Sequence, residues 1–234
     1  YLESFPAAAG RIHVLPNGVD PNRFTAPTAP PRPALPGTFT IGFVGTLKPW
    51  HGLDVLLDAF TLLYAHDSGL RLLVVGDGPC RADLTATVAE RGLQAVVHFT
   101  GAVDPATIPA WLRAMDVAVA PYPKLDNFYF SPLKVYEYMA AGLPVVASRI
   151  GQLANLIDTG VNGLLCEPGD AQALAAALAQ LRADLALAHQ LGKNAQQTIV
   201  REHTWDQVAQ RILAYGAASL AWKTPPRTAA AENE

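Results

Sequence analysis

Short apolar runs rich in Val, Ile and Leu alternate with longer amphipathic segments along the chain, and this alternation restricts the fold more than any other feature. Strands that are apolar throughout are buried on both faces, which is typical of parallel sheets covered by helices. With right-handed crossovers, the pattern predicts an α/β fold: a Rossmann-like, doubly wound parallel sheet of about six strands with helices on both faces. The runs lie at residues 38–45, 70–76, 95–101, 116–122, 143–148 and 162–168.

The two ends of the chain do not follow this alternation. Residues 20–37 are rich in proline, and the last residues have the composition of a disordered tail. We therefore predict an interdomain linker and proline-rich segment over residues 1–37, one α/β domain over residues 38–221 and a disordered tail over residues 222–234. Because Tyr1 stands in place of a starter Met, we expect the chain to be cut from a longer protein.

Composition excludes several classes of function. A net charge of −3 gives no basic footprint for nucleic acid, so we expect no nucleic-acid partner. No apolar run approaches the roughly 20 residues of a membrane helix, and the N-terminus lacks the basic region of a signal peptide. Cys80 and Cys166 lie far apart without metal-ligand spacing, which fits a reducing compartment and predicts a cytoplasmic protein with no metal.

The segment GTLKPWHG, directly after the first strand, is a candidate anion site. Ligands of open α/β sheets bind at the carboxyl ends of the strands. Here Gly45 and Thr46 form a turn, and Lys48 and His51 precede a helix whose N-terminus presents free N–H groups. The alternative is an ordinary glycine turn with a solvated lysine.

The loops after the second and third strands carry weaker signals. GDGP at residues 76–79 is not the G-x-G-x-x-G fingerprint, so a dinucleotide-dependent dehydrogenase is disfavoured. A ligand could approach Gly76 or Gly78, but a plain turn is the favoured explanation. In the loop after the third strand, Asp104 is predicted to cap the helix that begins at Pro105.

The segment SPLKVYEYMAAG, after the fourth strand, carries the most informative combination. Ser131 as N-cap and Pro132 as first helical residue leave the amides of Leu133 and Lys134 free to bind a phosphate. Glu137 would be repelled by that phosphate, and we expect it to accept hydrogen bonds from a vicinal diol such as ribose. The alternative is an exposed Lys134–Glu137 pair that stabilises the helix slightly.

In this order and spacing, the motifs resemble the C-terminal half of a glycosyltransferase of family 4, the "group 1" set with the GT-B fold. Each motif is weak alone, but their combination is highly specific. The matching segments are HVLPNGVDPNRF (13–24), GFVGTLKPWHGLDVLLDAF (42–60), LLVVGDGP (72–79), VHFTGAV (97–103), DVAVAPY (116–122), SPLKVYEYMAAGLPVVAS (131–148) and GVNGLLCEPGD (160–170).

The resemblance implies a donor-binding domain for a nucleoside-diphosphate sugar, whereas the acceptor-binding N-terminal domain is absent from this chain. It implies donor diphosphate contacts at Gly45, Thr46, Lys48, His51, Ser131, Leu133 and Lys134. It implies nucleoside contacts at Gly76, Gly101, Ala102, Val103 and Glu137, the last of these to the ribose. It implies donor-sugar contacts at Tyr129, Phe130 and Ser131.

The sequence departs from the family pattern at several of these positions. Family members have two glutamates with seven residues between them, and the first, which contacts the sugar, falls at Tyr129. Thr46 stands where an Arg is common, and His51 stands where a Lys is common. We expect Lys48 to replace part of the missing positive charge.

The implied function is a hexosyltransferase-type enzyme of polysaccharide or glycolipid synthesis that uses a UDP- or GDP-sugar, with retention of configuration. Lys48 and His51 would stabilise the leaving diphosphate, and Glu137 is the third catalytic candidate. The acceptor is unknown, and membrane contact is expected only through the absent half. Without that half, we expect the chain to bind nucleotide but to transfer almost nothing.

Two other hypotheses about the function stay open at this point. One is a different GT-B enzyme, such as a nucleotide-sugar 2-epimerase, and the other is a non-catalytic nucleotide-sugar binding module. Near the C-terminus, Trp205 and Ile212 are expected to be partly exposed if the last helices cross toward the absent domain. Ordinary core packing is the alternative for both residues.

Overall fold

The computed structural model describes residues 12–25, 29, 37–126, 128 and 131–222. Within these residues, six strands form one sheet: β1 (Phe39–Val44), β2 (Leu70–Val75), β3 (Val97–Phe99), β4 (Val117–Ala120), β5 (Val145–Ser148) and β6 (Leu164–Cys166). All pairings are parallel, and the strand order is β3-β2-β1-β4-β5-β6. The predicted doubly wound sheet is confirmed, and the strands are shorter than predicted because their flanking residues turn into the connecting loops.

Helices connect the strands and cover the sheet. They are α1 (Leu53–Tyr64), α2 (Arg81–Glu90), α3 (Ile108–Leu112), α4 (Leu133–Ala140), α5 (Leu153–Leu156), α6 (Ala171–Ala183), α7 (Leu185–Glu202) and α8 (Trp205–Trp222). Local sequence explains several boundaries. Asp170 caps α6 by accepting a bond from Ala173 N–H at 2.8 Å, and Gly92 follows the end of α2 with a φ of 69°.

Two apolar clusters lie on opposite faces of the sheet. One contains buried residues of α1, α2 and α6, among them Leu56, Leu84 and Leu178. The other contains buried residues of α3, α4 and α7, among them Leu112 and Ile199. Burial on both faces explains why the strands are apolar without alternation.

Part of the segment that precedes the sheet packs against the second cluster. Val19 and Phe24 are buried, and the Val19 amide donates to the His203 carbonyl at 2.9 Å. A short 3-10 helix spans Pro21–Phe24. The domain boundaries at residues 37 and 221 stay predictions, and residues 223–234 lie outside the described residues.

Close contact between α7 and the loop before β5 generates the first prediction. A Cβ at Gly192 would lie 2.2 Å from the Gly142 carbonyl oxygen, a backbone atom that cannot rotate away. We expect Gly192→Ala to lower the free energy of unfolding by about 1–3 kcal/mol, measured by chemical denaturation. Gly216→Ala is the matched control, because no atom lies within 4 Å of a Cβ there and alanine favours the helix. Equal stabilities of the two variants would contradict the packing described.

Candidate functional site

Helix α4 is fixed against the sheet at the place where the strand order reverses. In open α/β sheets a ligand crevice forms at this place, here between β1 and β4. β1 continues beyond its pairing with β4, and the Tyr138 hydroxyl takes the place of a strand partner. This buried hydroxyl accepts from the Val44 N–H at 2.7 Å and lies 3.2 Å from the Val44 carbonyl. The first turn of α4 therefore lies beside the loop that follows β1.

The loops after β1, β2 and β3 pack closely at the same edge of the sheet. Gly45 N–H donates to the Val75 carbonyl at 2.9 Å, and Gly76 N–H donates to the Gly101 carbonyl at 3.1 Å. A Cβ at Gly76 would lie 2.1 Å from the Gly45 carbonyl oxygen. Packing between loops is therefore sufficient to explain Gly76. The structure brings three predicted site residues, Gly45, Gly76 and Gly101, into one layer.

The side chain of Lys134 is the most unusual group at this edge. Its Nζ lies 4.2 Å from the Phe43 ring centroid and 5.6 Å from that of Tyr122. The Nζ is buried and has no hydrogen-bond partner among the described residues. It lies directly beneath Gly45, where a Cβ would approach it to 2.9 Å. Burial lowers the pKa of the Lys134 ammonium to about 7.

His51 lies beside this lysine but does not carry the charge expected of it. Its Nδ1 donates to the Thr46 carbonyl, which leaves Nε2 of the neutral ring as an acceptor. Burial, the charge of Lys134 and, to a smaller extent, the charge of Lys48 lower its pKa to about 4, against the opposing effect of the Thr46 bond. His51 is therefore neutral at pH 7. The expected cationic role of His51 would require an anion to raise this pKa.

The start of α4 differs from its prediction. Pro132 occupies the N-cap position without a side-chain cap bond, so the prediction of Ser131 as N-cap is wrong. The Leu133 amide donates to the Ser131 carbonyl at 2.9 Å and is not free as predicted. The reason is a tight turn at Pro132, where ψ is 67°. Ser131 Oγ is buried without a partner among the described residues.

Glu137 is paired with an arginine that the sequence analysis did not single out. Arg23 Nη1 lies 3.0 Å from Glu137 Oε1 in an ion pair. The Lys134 ammonium is buried in a different direction, so the alternative of an exposed Lys134–Glu137 pair is wrong. Arg23 Nη2 also donates to the Pro105 carbonyl at 3.4 Å. One guanidinium group therefore bridges the Glu137 carboxylate and the loop after β3.

The other predicted site residues lie around the same edge. Lys48 Nζ is 5.1 Å from the centroid of Trp50, whose ring is partly exposed. Ala102 is exposed and Val103 half-buried in the loop after β3, which ends at Asp104. Asp104 caps the following 3-10 helix through Ala106 N–H at 2.9 Å, as predicted. Two predicted sugar-contacting residues lie outside the described residues: Tyr129 and Phe130.

This arrangement is suited to an anion. Buried polar groups almost always have partners, yet Ser131 Oγ and Lys134 Nζ lie at the start of one helix without any among the described residues. Both are hydrogen-bond donors, which is the kind of group that an anion site requires. Among the same residues, no group of three or more His, Cys, Asp or Glu side chains could hold a metal ion. The expectation that no metal is required stays a prediction.

Comparison with protein families gives a match over residues 38–184 to the model described as "Glycosyl transferases group 1". This match covers more than half of the chain. The chain belongs to the group 1 glycosyltransferases.

Curated relatives agree with this family. A 2-deoxystreptamine glucosyltransferase of Streptomyces kanamyceticus is 36% identical over 178 residues, which are 72% of this chain and 44% of the relative. A D-inositol 3-phosphate glycosyltransferase of Jonesia denitrificans is 31% identical over 225 residues, which are 90% of this chain and 52% of the relative. This group 1 glycosyltransferase chain thus spans about half the length of the relatives it matches.

Solved structures place the chain in the second half of the GT-B fold. The C-terminal domain of the group 1 glycosyltransferase LpcC from Francisella tularensis is 25% identical with a TM-score of 0.69, over 80% of this chain and 100% of that one. Anabaena HepE, in complex with UDP and glucose, is 25% identical with a TM-score of 0.72, over 88% of this chain and 55% of that one. The α/β domain is therefore the C-terminal domain of a group 1 glycosyltransferase.

Two further findings concern the membrane-spanning potential of the helices and the exposure of α8. Within the part of the chain that the structure describes, no helix is long and apolar enough to cross a membrane. Trp205 and Ile212 are 51% and 54% exposed, so their expected partial exposure is confirmed. The alternative of complete core packing is wrong for both residues.

Three features of the candidate site were not predicted from the sequence. Arg23 stands in the PNGVDPNRF segment without any local sign that it reaches Glu137, which lies 114 residues away. The hydroxyl of Tyr138 stands where any apolar core residue would satisfy the helical pattern. Lys134 was predicted to contact the diphosphate, but burial of its ammonium was not predicted, because lysine is rarely buried. They depend on the tertiary packing of α4 against β1 and against the 3-10 helix Pro21–Phe24.

The buried ammonium of Lys134 generates a stability prediction. Its pKa is lowered from 10.5 to about 7, so the unfolded state binds more protons between these pH values and stability rises with pH across this window. We expect Lys134→Met to raise the free energy of unfolding by about 1–3 kcal/mol at pH 6, with a smaller gain at pH 10. Denaturation at both pH values measures this difference.

The control is Lys193→Met, at an exposed position of α7. It should change stability little and with no dependence on pH across the same window. A Lys134→Met variant that is less stable than the parent at pH 6, or whose gain does not decrease by pH 10, would contradict the buried position of the ammonium.

Proposed function

We propose that this chain carries the donor site of a retaining glycosyltransferase that transfers a sugar from a nucleoside-diphosphate sugar to an acceptor. The single observation that carries the proposal is a pair of buried polar atoms at the switch-point edge of the sheet, Lys134 Nζ and Ser131 Oγ, which have no hydrogen-bond partner among the described residues. Family membership supports the same ligand class, and HepE in complex with UDP and glucose makes a UDP-sugar the first donor to test.

The diphosphate is proposed to lie between the loop after β1 and the first turn of α4. Lys134 Nζ beneath Gly45 and Lys48 near Trp50 supply positive charge from two sides. His51, neutral on its own, becomes a donor to phosphate if the bound anion raises its pKa. The positive end of α4 adds to this field.

The nucleoside is proposed to extend from the diphosphate toward the loop after β3. Glu137 lies one helical turn after Lys134 and accepts hydrogen bonds from the ribose diol. Gly101, Ala102 and Val103 would contact the base, mainly through backbone atoms. The 3.4 Å bond from Arg23 to the carbonyl of the adjacent Pro105 supports this path.

The proposed step breaks the bond between the anomeric carbon and the diphosphate oxygen. The bonding electrons go to that oxygen, and the acceptor oxygen forms the new bond to the anomeric carbon from the same face. Lys134, Lys48 and His51 stabilise the charge that gathers on the leaving diphosphate. The acceptor and the group that takes its proton are proposed to bind mainly to a further domain, so this chain alone transfers almost nothing.

A binding titration with matched ligands tests the proposal. We expect the folded chain to bind at least one of UDP, GDP and ADP with a dissociation constant below about 1 mM. Glu137→Ala should weaken the binding of that nucleotide about tenfold and the binding of pyrophosphate far less, because pyrophosphate has no diol. Isothermal titration calorimetry measures both.

Glu90→Ala, at an exposed position of α2, is the control and should bind like the parent. The donor-site proposal would be contradicted if the chain bound none of the three nucleotides at millimolar concentration. Circular dichroism verifies that the chain used in this experiment is folded. Equal losses for nucleotide and pyrophosphate in Glu137→Ala would show that this carboxylate does not hold the ribose.

A further inference from the structure

We propose that Arg23 is a positioning residue of the donor site: its guanidinium holds the Glu137 carboxylate and the loop after β3 in place for the nucleoside. This inference rests on the proposed function, because it concerns the same site. It assigns a role to a residue of the segment that precedes the sheet.

The contacts of Arg23 join three elements that are distant in sequence. Nη1 lies 3.0 Å from Glu137 Oε1 on α4, and Nη2 donates to the Pro105 carbonyl after β3 at 3.4 Å. The guanidinium carbon also lies 5.6 Å from the ring centroid of Phe24. A planar group with donors on both sides can bridge two acceptors in a fixed geometry, which lysine cannot reproduce.

Arg23 itself is held in a defined backbone. It lies in the 3-10 helix Pro21–Phe24, which Asp20 caps by accepting from Asn22 N–H at 3.0 Å. The neighbouring Phe24 is buried, and its carbonyl accepts from Arg113 Nη2 at 2.7 Å. The backbone position of the side chain is thus defined, and the rigid guanidinium fork loses less entropy per hydrogen bond than a lysine ammonium would.

The ion pair is poorly placed for a purely structural role. The Arg23 and Glu137 side chains are 41% and 25% exposed, and exposed pairs contribute about 0–1 kcal/mol to stability. Arg23 binds one oxygen of the carboxylate, whereas no described residue donates to Glu137 Oε2. One carboxylate oxygen is therefore oriented by Arg23, and the other is available to accept a hydrogen bond from a hydroxyl group.

The space beside the pair is open. A cavity of about 180 Å³ lies between the segment from Gly18 to Arg23, the first turns of α4 and Trp205 of α8, and Glu137 forms part of its wall. A diol can reach the carboxylate from this space.

The inference is tested with three ligands: the nucleoside diphosphate that the chain binds, its 2′,3′-dideoxy analogue and pyrophosphate. We expect Arg23→Ala to weaken binding of the nucleoside diphosphate about tenfold and of the other two less than about twofold. Arg23→Lys, which keeps the charge without the bridge, should restore only part of the affinity. Arg91→Ala removes an arginine paired with Asp58 away from the site and should change none of the three.

A double-mutant cycle separates positioning from a general effect of charge. If Arg23 acts through the carboxylate, Arg23→Ala causes no further loss in a Glu137→Ala background. Thermal unfolding of Arg23→Ala should stay within about 3 °C of the parent, so that lost binding is not lost folding.

Equal losses of affinity for all three ligands, additive losses in the cycle, or tighter nucleotide binding by Arg23→Ala would each overturn the inference and leave the donor site intact. If the parent chain binds no nucleotide at all, that result contradicts the proposed function, and this inference is overturned with it. The two failures are therefore distinguishable.

Discussion

The bond between Tyr138 and Val44 is the interaction on which the geometry of the site depends. β1 extends beyond its β4 partner, and the backbone groups of Val44 would lack partners on that side without the Tyr138 hydroxyl. Unsatisfied buried backbone groups are costly, so the hydroxyl fixes α4 against the end of β1. The helix then presents Lys134 to one loop and Glu137 to another, and the spacing along the helix sets the distance between them.

Because α4 is held in this position, the Lys134 ammonium lies between aromatic rings. Phe43 and Tyr122 attract the cation, but they do not replace its hydration, and burial lowers the Lys134 pKa to about 7. Folding thus tolerates a group that is poorly satisfied without a ligand. In our account a diphosphate satisfies it, so the destabilising residue is retained for binding rather than for stability.

The sequence was sufficient for the architecture but only partly sufficient for the site. Apolar periodicity predicted the parallel sheet of six strands, and the loop motifs pointed to the edge at which the candidate site lies, because both depend on local pattern. The local pattern did not predict the conformation at Ser131 and Leu133, where the turn at Pro132 replaces the predicted cap. It also did not predict the neutral state of His51, whose charge depends on burial. It was also insufficient for Arg23, since a contact across 114 residues depends on tertiary packing alone.

If Lys134 becomes the ammonium partner of a bound diphosphate, as we propose, nucleotide binding at pH 8 is accompanied by proton uptake. At pH 8 the group is mostly neutral in the free chain because its pKa is about 7. Calorimetric titration with UDP, or whichever nucleotide binds, in two buffers of different ionisation enthalpy should give an uptake of about one proton by the parent chain and much less by Lys134→Met. The same proton count for both chains would contradict the account.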